Sequence, residues 1–193
     1  MSFLTGTNVE VIGPGGYVTN GTQLATFTTE DNLQKALPNI AVPAFFWNKI
    51  GQTVKVRAWG RLGTTGTPTF TFTFRMRTNG TWAADGISVS SAAITAGSGV
   101  TLAPWELEID LTLRAIGGNP ATTASTLGMT GFVRAGTAFA AGGGLYSIPA
   151  ANTAFTATFD NTVTQYFYLS AACGTSNASN LIQLEMMKVY GEN

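Results

Sequence analysis

The chain has 193 residues, with ten basic and ten acidic side chains, no histidine, one cysteine and a formal net charge of zero at pH 7. Charged residues make up only 10%, against about 25% in an ordinary globular domain, while the hydrophobic share of 45% is normal. Such a length suits one domain that buries some 70% of its extended surface without a disulfide or metal. The charge balance removes the electrostatic basis of nucleic-acid binding, and no stretch approaches the ~20 apolar residues of a membrane helix.

Residues 1–36 differ from the rest. Met1-Ser2-Phe3-Leu4-Thr5 has neither the basic region nor the apolar core of a signal peptide, which argues against classical secretion. Two short apolar stretches, Val9-Glu10-Val11-Ile12 and Leu24-Ala25-Thr26-Phe27, flank Gly13-Pro14-Gly15-Gly16. Two readings stand open for this segment: an edge strand of the main body, or an arm laid on a neighbouring subunit. Thr28 to Leu37 has hydroxyl caps, early acids and Pro38 as a stop, and predicts one or two helical turns. Phe45-Phe46-Trp47 is a dense aromatic knot ahead of the first clear strand.

From there the chain alternates with a period of two. Val54, Val56 and Ala58 alternate with Lys55, Arg57 and Trp59, and Phe70, Phe72, Phe74 and Met76 with Thr71, Thr73, Arg75 and Arg77. Trp105, Leu107, Ile109, Leu111 and Leu113 alternate with Glu106, Glu108, Asp110, Thr112 and Arg114. Leu127, Met129, Gly131 and Val133 mark another strand, with Gly131 signalling a bulge or close approach. Phe155, Ala157 and Phe159 lead into Asp160-Asn161, read as a hairpin turn, and Val163, Gln165, Phe167 and Leu169 follow. A last strand carries Ile182, Leu184, Met186 and Tyr190. Turn clusters such as Gly63 to Pro68, Thr78 to Thr81 and Gly117 to Pro120 separate these segments.

One apolar and one wet face per strand, with no crossover helices, calls for antiparallel sheets stacked in two layers. The expectation is an all-β sandwich over 37–193, jelly-roll-like before immunoglobulin-like.

Chemistry finds few handles. Without histidine the usual base of a hydrolytic triad is missing, and zinc sites built on histidine or paired cysteines are excluded. Cys173 has no disulfide partner, fits cytoplasmic synthesis and reads as a small buried apolar residue. Gly142-Gly143-Gly144 lacks the following Lys-Ser/Thr of a phosphate cradle. Glu106, Glu108 and Asp110 share one strand face, where a carboxylate pair or a calcium site is conceivable, but cross-strand pairing with arginines is the ordinary use. Asn20, Asn79 and Asn177 head glycosylation-type triplets and read as turns. No catalytic, cofactor or metal residues are assigned. Interface candidates are Phe3, Val9, Val11, Phe45, Phe46, Trp47, Trp59 and Trp82, while Trp105 belongs to the core.

The run from Ile50 to Arg61, the Thr65-Gly66-Thr67-Pro68 turn with Phe70 and Phe72, and the Ala103-Pro104-Trp105 strand start leading to Ile116-Gly117 resemble virion structural proteins of tailed bacteriophages over roughly residues 37 to 190. The resemblance implies a non-enzymatic β-sandwich carried on the particle, commonly as a homotrimer, and carries no site residues. The function expected is a capsid decoration or cement protein, made in the host cytoplasm and bound to the major capsid protein or other virion proteins. An alternative is a receptor- or glycan-binding head of a tail fibre, with Trp47, Trp59 or Trp82 as stacking surfaces; a third is a carboxylate-dependent glycan hydrolase.

Overall fold

A computed structural model describes residues 9–11, 20–117, 124–136, 139, 144–150 and 155–192. Phe3, Gly13-Pro14-Gly15-Gly16, most of the Gly117 to Pro120 turn and Gly142-Gly143 lie outside the described residues.

Among the described residues, fourteen strands follow one another in the order β1 (Val9–Val11), β2 (Leu24–Ala25), β3 (Asp31–Asn32), β4 (Ile40–Val42), β5 (Thr53–Gly63), β6 (Thr69–Arg77) and β7 (Ile87–Ser90), then β8 (Ile94–Thr95), β9 (Ala103–Ala115), β10 (Ser125–Arg134), β11 (Leu145–Ile148), β12 (Phe155–Phe159), β13 (Gln165–Cys173) and β14 (Leu181–Glu192). Every pairing is antiparallel. One sheet runs β1-β14-β5-β9-β10-β11, with β2 also on β14 and β12 also on β10; the other runs β3-β13-β6-β7, with β4 on β13 and β8 on β6. The expected antiparallel sandwich is therefore present. Its first long strand pairs with its last, β5 with β14, and its second with the last but one, β6 with β13.

Each sheet edge is shared by two short strands: β1 and β2, β11 and β12, β3 and β4, β7 and β8. A broken edge offers little continuous backbone to a stray strand, which blunts edge-to-edge aggregation. In the described part of 1–36, β1 and β2 pair with β14 and β3 with β13, while Leu24, Phe27 and Leu33 are buried in the same core.

The alternation read from sequence sets the layers. Val54, Val56, Ala58 and Leu62 of β5 and Trp105 to Leu113 of β9 turn their apolar members inward. Opposite them lie Phe70, Phe72, Phe74 and Met76 of β6 and Phe167, Leu169, Ala171 and Cys173 of β13, all buried. Aromatic rings tie the layers together. Phe72 and Trp105 meet at 5.1 Å between centroids, and Trp47 sits edge-on to Phe159 at 5.1 Å and within 6.1 Å of Phe167. Gly60 makes the Trp105 position possible: a Cβ there would fall 2.6 Å from the indole and 2.0 Å from the Gln183 carbonyl.

Three local expectations change, and one of two open readings is decided. Thr28 to Leu37 forms no helix, because its backbone is committed otherwise: Asp31-Asn32 pairs with β13, Asn32 Oδ1 accepts the Gln34 N–H, and Leu33 enters the core. The Asp160-Asn161 turn is a corner rather than a hairpin. It is fixed by Asp160 Oδ1 accepting from Thr162 N–H and Oγ1–H, but β12 pairs with β10 in one sheet and β13 with β6 in the other. In β14 a bulge between Leu184 and Met186 reverses the alternation, so Met187 and Val189 face inward in place of Met186 and Tyr190. Gly131 marks a close approach and not a bulge; its Cβ would meet the Glu108 carbonyl at 2.2 Å, while the β9–β10 register shift falls between Thr126 and Leu127.

The outer face of the β6 sheet is covered. Glu30 accepts from Arg75 Nε–H and Nη2–H at 2.6 Å each and from Ser170 Oγ–H at 2.5 Å, pinning the 20–36 segment over β6 and β13. Arg75, expected on a wet face, is thus 9% exposed. Burial pushes the Glu30 carboxyl up, but the Arg75 and Ser170 hydrogen bonds and the Arg75 charge outweigh it and hold it below the usual glutamate range.

Two outcomes are expected. Gly60→Ala destabilises the fold by ~2 kcal/mol or more, measured by urea unfolding, because the added carbon meets backbone and a trapped indole. Glu30→Gln costs on the order of 2 kcal/mol at neutral pH. The carboxyl titrates lower folded than unfolded, so its contribution is complete above the unfolded value and is lost as the pH falls toward the folded one. The variant's stability therefore varies less between neutral pH and pH ~3 than the parent's, a difference that thermal melts across that range detect.

Candidate functional site

Two surfaces stand out once the layers are placed. The first is the outer face of the larger sheet. Register sets Lys188, Arg57, Glu108 and Phe132 side by side across β14, β5, β9 and β10, with Met186, Trp59, Glu106 and Arg134 in the next row and Tyr190, Lys55, Asp110 and Thr130 in the row on the other side. The sparse charge of the chain is concentrated here, and opposite signs meet.

Glu108 accepts from Arg57 Nε–H at 2.5 Å and Arg61 Nε–H donates to Glu185 at 2.8 Å. Lys55 Nζ lies 4.0 Å from Glu108, 3.9 Å from Asp110 and 3.9 Å from Glu192. Glu106 Oε2 accepts from Arg134 Nε–H at 2.9 Å and Nη2–H at 2.6 Å. The Glu106, Glu108 and Asp110 stripe is thus shared out among cations as cross-strand pairs. Burial pushes Asp110 above the usual carboxylate range; the Lys55 charge opposes this, while Glu108 and Glu192 add to it.

Trp59 belongs to this face. It is half-buried and lines a groove of about 350 Å³ together with Pro104, Trp105, Glu106, Arg134, Ala135 and Gly136. Arg134 is held in place twice, by Glu106 and by the Phe132 ring, whose centroid is 5.9 Å from its guanidinium carbon.

The second surface is the end of the sandwich where β5 begins, β9 ends and β12 turns into β13. Four of the six large apolar side chains most exposed among the described residues sit there: Phe45 at 59%, Ile50 at 63%, Ile116 at 42% and Val163 at 37%. Backbone hydrogen bonds fix their supports: Phe45 N–H to the Asn161 carbonyl at 2.7 Å and Gly51 N–H to the Leu113 carbonyl at 2.8 Å. Phe45 has φ of 60°, a left-handed conformation that bulky residues rarely adopt, and is exposed.

The interface candidates separate accordingly. Phe45 lies on the exposed end, Phe46 is half-buried beside it, and Trp59 lines the groove. Trp47 is 1% exposed and belongs to the core, so it offers no surface to a partner. In a run of three aromatics no period tells which ring turns in; the ring contacts with Phe159 and Phe167 decide it. Trp82 packs edge-on against Tyr168 at 5.6 Å on the opposite sheet. Val9 and Val11 lie in β1, and only their backbone pairing with β14 is described. Cys173 is buried, and burial raises its thiol above the ordinary range, which disfavours the nucleophilic thiolate. Asn79 and Asn177 accept the Thr81 and Ser179 N–H groups, as turn residues do.

No protein-family model matches the chain, and no curated protein matches it in sequence. Among solved structures, it is similar to the CBM2 module of the evolved Dit of Lactobacillus casei BL23 phage J-1. That likeness covers 99% of this chain and 93% of the other at 11% identity, with a TM-score of 0.37. At that identity and score, nothing about this chain's chemistry follows from the neighbour.

Lys55→Met removes the cation shared by three carboxylates, and Asp110 then titrates at higher pH than in the parent. Carboxyl NMR titration of Asp110 reads this directly; an unchanged midpoint contradicts the reading of Lys55 as the cation that offsets Asp110's burial.

Proposed function

We propose that the chain is a non-enzymatic structural protein of a tailed-phage virion, carried on the outer surface of the head and joining neighbouring capsomers. Attachment runs through the apolar end of the sandwich. The virion half of this reading rests on the strand, turn and Pro-Trp resemblance across residues 37 to 190. The docking half rests on one observation: Phe45, Ile50, Ile116 and Val163 stand exposed at the same end of the sandwich. Clustered apolar side chains around an aromatic anchor are what the centre of a protein interface requires.

The remaining features support a passive role. The acidic stripe is engaged by Arg57, Arg134 and Lys55, which leaves it suited to cohesion rather than to proton transfer. A neutral, hydroxyl-rich surface packs closely against sister molecules without charge repulsion. An interface of about 1,600 Å² in total gives stable attachment, and summed over many copies it opposes outward pressure from the packaged genome.

Counting copies per purified particle tests the proposal. Hundreds of copies of the wild-type chain are expected, and a Phe45→Ser/Ile50→Ser double variant that melts like the parent is expected to fall at least tenfold in occupancy. A handful to a few tens of copies would mark a tail component instead, and undiminished occupancy of the variant would remove the apolar end from the attachment.

A further inference from the structure

The Trp59 groove is separate from the apolar end and serves no role in attachment as argued above. It combines a half-buried indole with a carboxylate and a guanidinium on adjacent strands. Arg134 approaches Glu106 through Nε–H and Nη2–H, and both bonds end on the same oxygen, Oε2. Among the described residues, Glu106 Oε1 and Arg134 Nη1 have no hydrogen-bond partner. Glu106 and Arg134, each with an atom outside their mutual bonds, thus line the groove together with the Trp59 indole.

We infer that this groove is a binding subsite for a neutral pyranose sugar. Three properties select that chemistry. A pyranose ring presents an apolar C–H face to an indole, as Trp59 requires of a ligand that shields it from water. Vicinal hydroxyls each donate and accept, so one donates to Glu106 Oε1 while its neighbour accepts from Arg134 Nη1. The Glu106–Arg134 pair is already neutralised, so an anionic or cationic ligand gains little net charge interaction and would have to break a two-bond contact to engage either partner. Pro104, Ala135 and Gly136 complete the lining without adding charge, and about 350 Å³ accommodates a single ring. Arg134 already bonds Glu106 with two N–H groups and has the Phe132 ring 5.9 Å from its guanidinium carbon, which lowers the ordering cost of binding. One stacked ring and two or three hydrogen bonds correspond to a dissociation constant on the order of millimolar.

Methyl pyranosides of glucose, galactose, mannose, rhamnose and N-acetylglucosamine, titrated into the intact protein, test this while the indole N–H signals are followed by NMR. At least one of them is expected to shift the Trp59 signal saturably, and to leave Trp82, on the other sheet, unmoved. In the variants binding is read by isothermal titration calorimetry with the sugar that shifts Trp59 in the parent. Trp59→Ala abolishes the binding heat, while Trp59→Phe, which preserves a ring, and Glu106→Gln, which preserves shape, each weaken binding about tenfold or less with the melting temperature near the parent's. Glucuronate and glucosamine bind no better than their neutral counterparts. The inference is overturned if no sugar in the panel moves the Trp59 signal, if Trp82 responds equally, or if the charged sugars bind more tightly. A Trp59→Ala chain that binds no sugar in either form yet loses its place on the particle would assign the groove to a protein partner and overturn the sugar reading. The apolar-end attachment fails or stands independently, through copy number alone.

Discussion

The contact between Trp105 and Phe72 across the two layers is the constraint from which the rest of the arrangement follows. Trp105 opens the longest strand of one sheet, and Phe72 sits mid-strand in the other. Their rings meet only because residue 60, on the strand beside Trp105, has no side chain. That spacing lets the Phe70 to Met76 face and the Trp105 to Leu113 face interdigitate as a sandwich core. Once the inner faces are committed to apolar packing, everything charged on β5, β9 and β14 must lie on the outer face. The outer face, in turn, stays neutral because register sets Arg57 against Glu108 and Arg134 against Glu106.

The proposed function rests on this division. Among the described residues the outward charges of the larger sheet largely pair with one another, and of the six most exposed large apolar side chains four, Phe45, Ile50, Ile116 and Val163, share one end of the sandwich, with Leu102 and Leu145 elsewhere. Phe45 occupies the left-handed position of a turn closed by the Phe46 N–H to Pro43 carbonyl bond, as Thr26, Ala36 and Leu102 also take positive φ elsewhere in the chain. The Trp59 groove is the other surface, lined by Glu106 and Arg134 together with the indole. The proposed attachment surface and the proposed sugar subsite thus lie on different parts of the molecule, one at an end and one beside the outer face.

Much of this was legible in the sequence, for a physical reason. Period-two alternation survives wherever one face is buried and the other wet, as along Val54 to Trp59 and Trp105 to Arg114, so strands and layers could be read off directly. It gives the strand but not the cover over its polar face, as at Arg75 in β6, and it fails where a bulge inverts it, as at Glu185 in β14. Capping signals misled at Thr28 to Leu37 because Glu30 is claimed by Arg75 across 45 positions of sequence, a contact no local pattern encodes. The Asp160-Asn161 turn was found, but not which sheet each flank would join. Trp59 was placed correctly opposite Val54 and Val56, whereas its groove needed Arg134 and Gly136 from a strand pairing that only the fold supplies.

The central claim is that a passive two-layer body meets the phage head through one apolar end. A cryo-EM reconstruction of purified heads, with this fold docked into the outer density, tests it most directly. The account predicts that the Phe45 end is buried against the shell at the joints between capsomers while the Trp59 face points to solvent. A reconstruction with the Phe45 end facing outward, or with no density for the chain on the head at all, would contradict it.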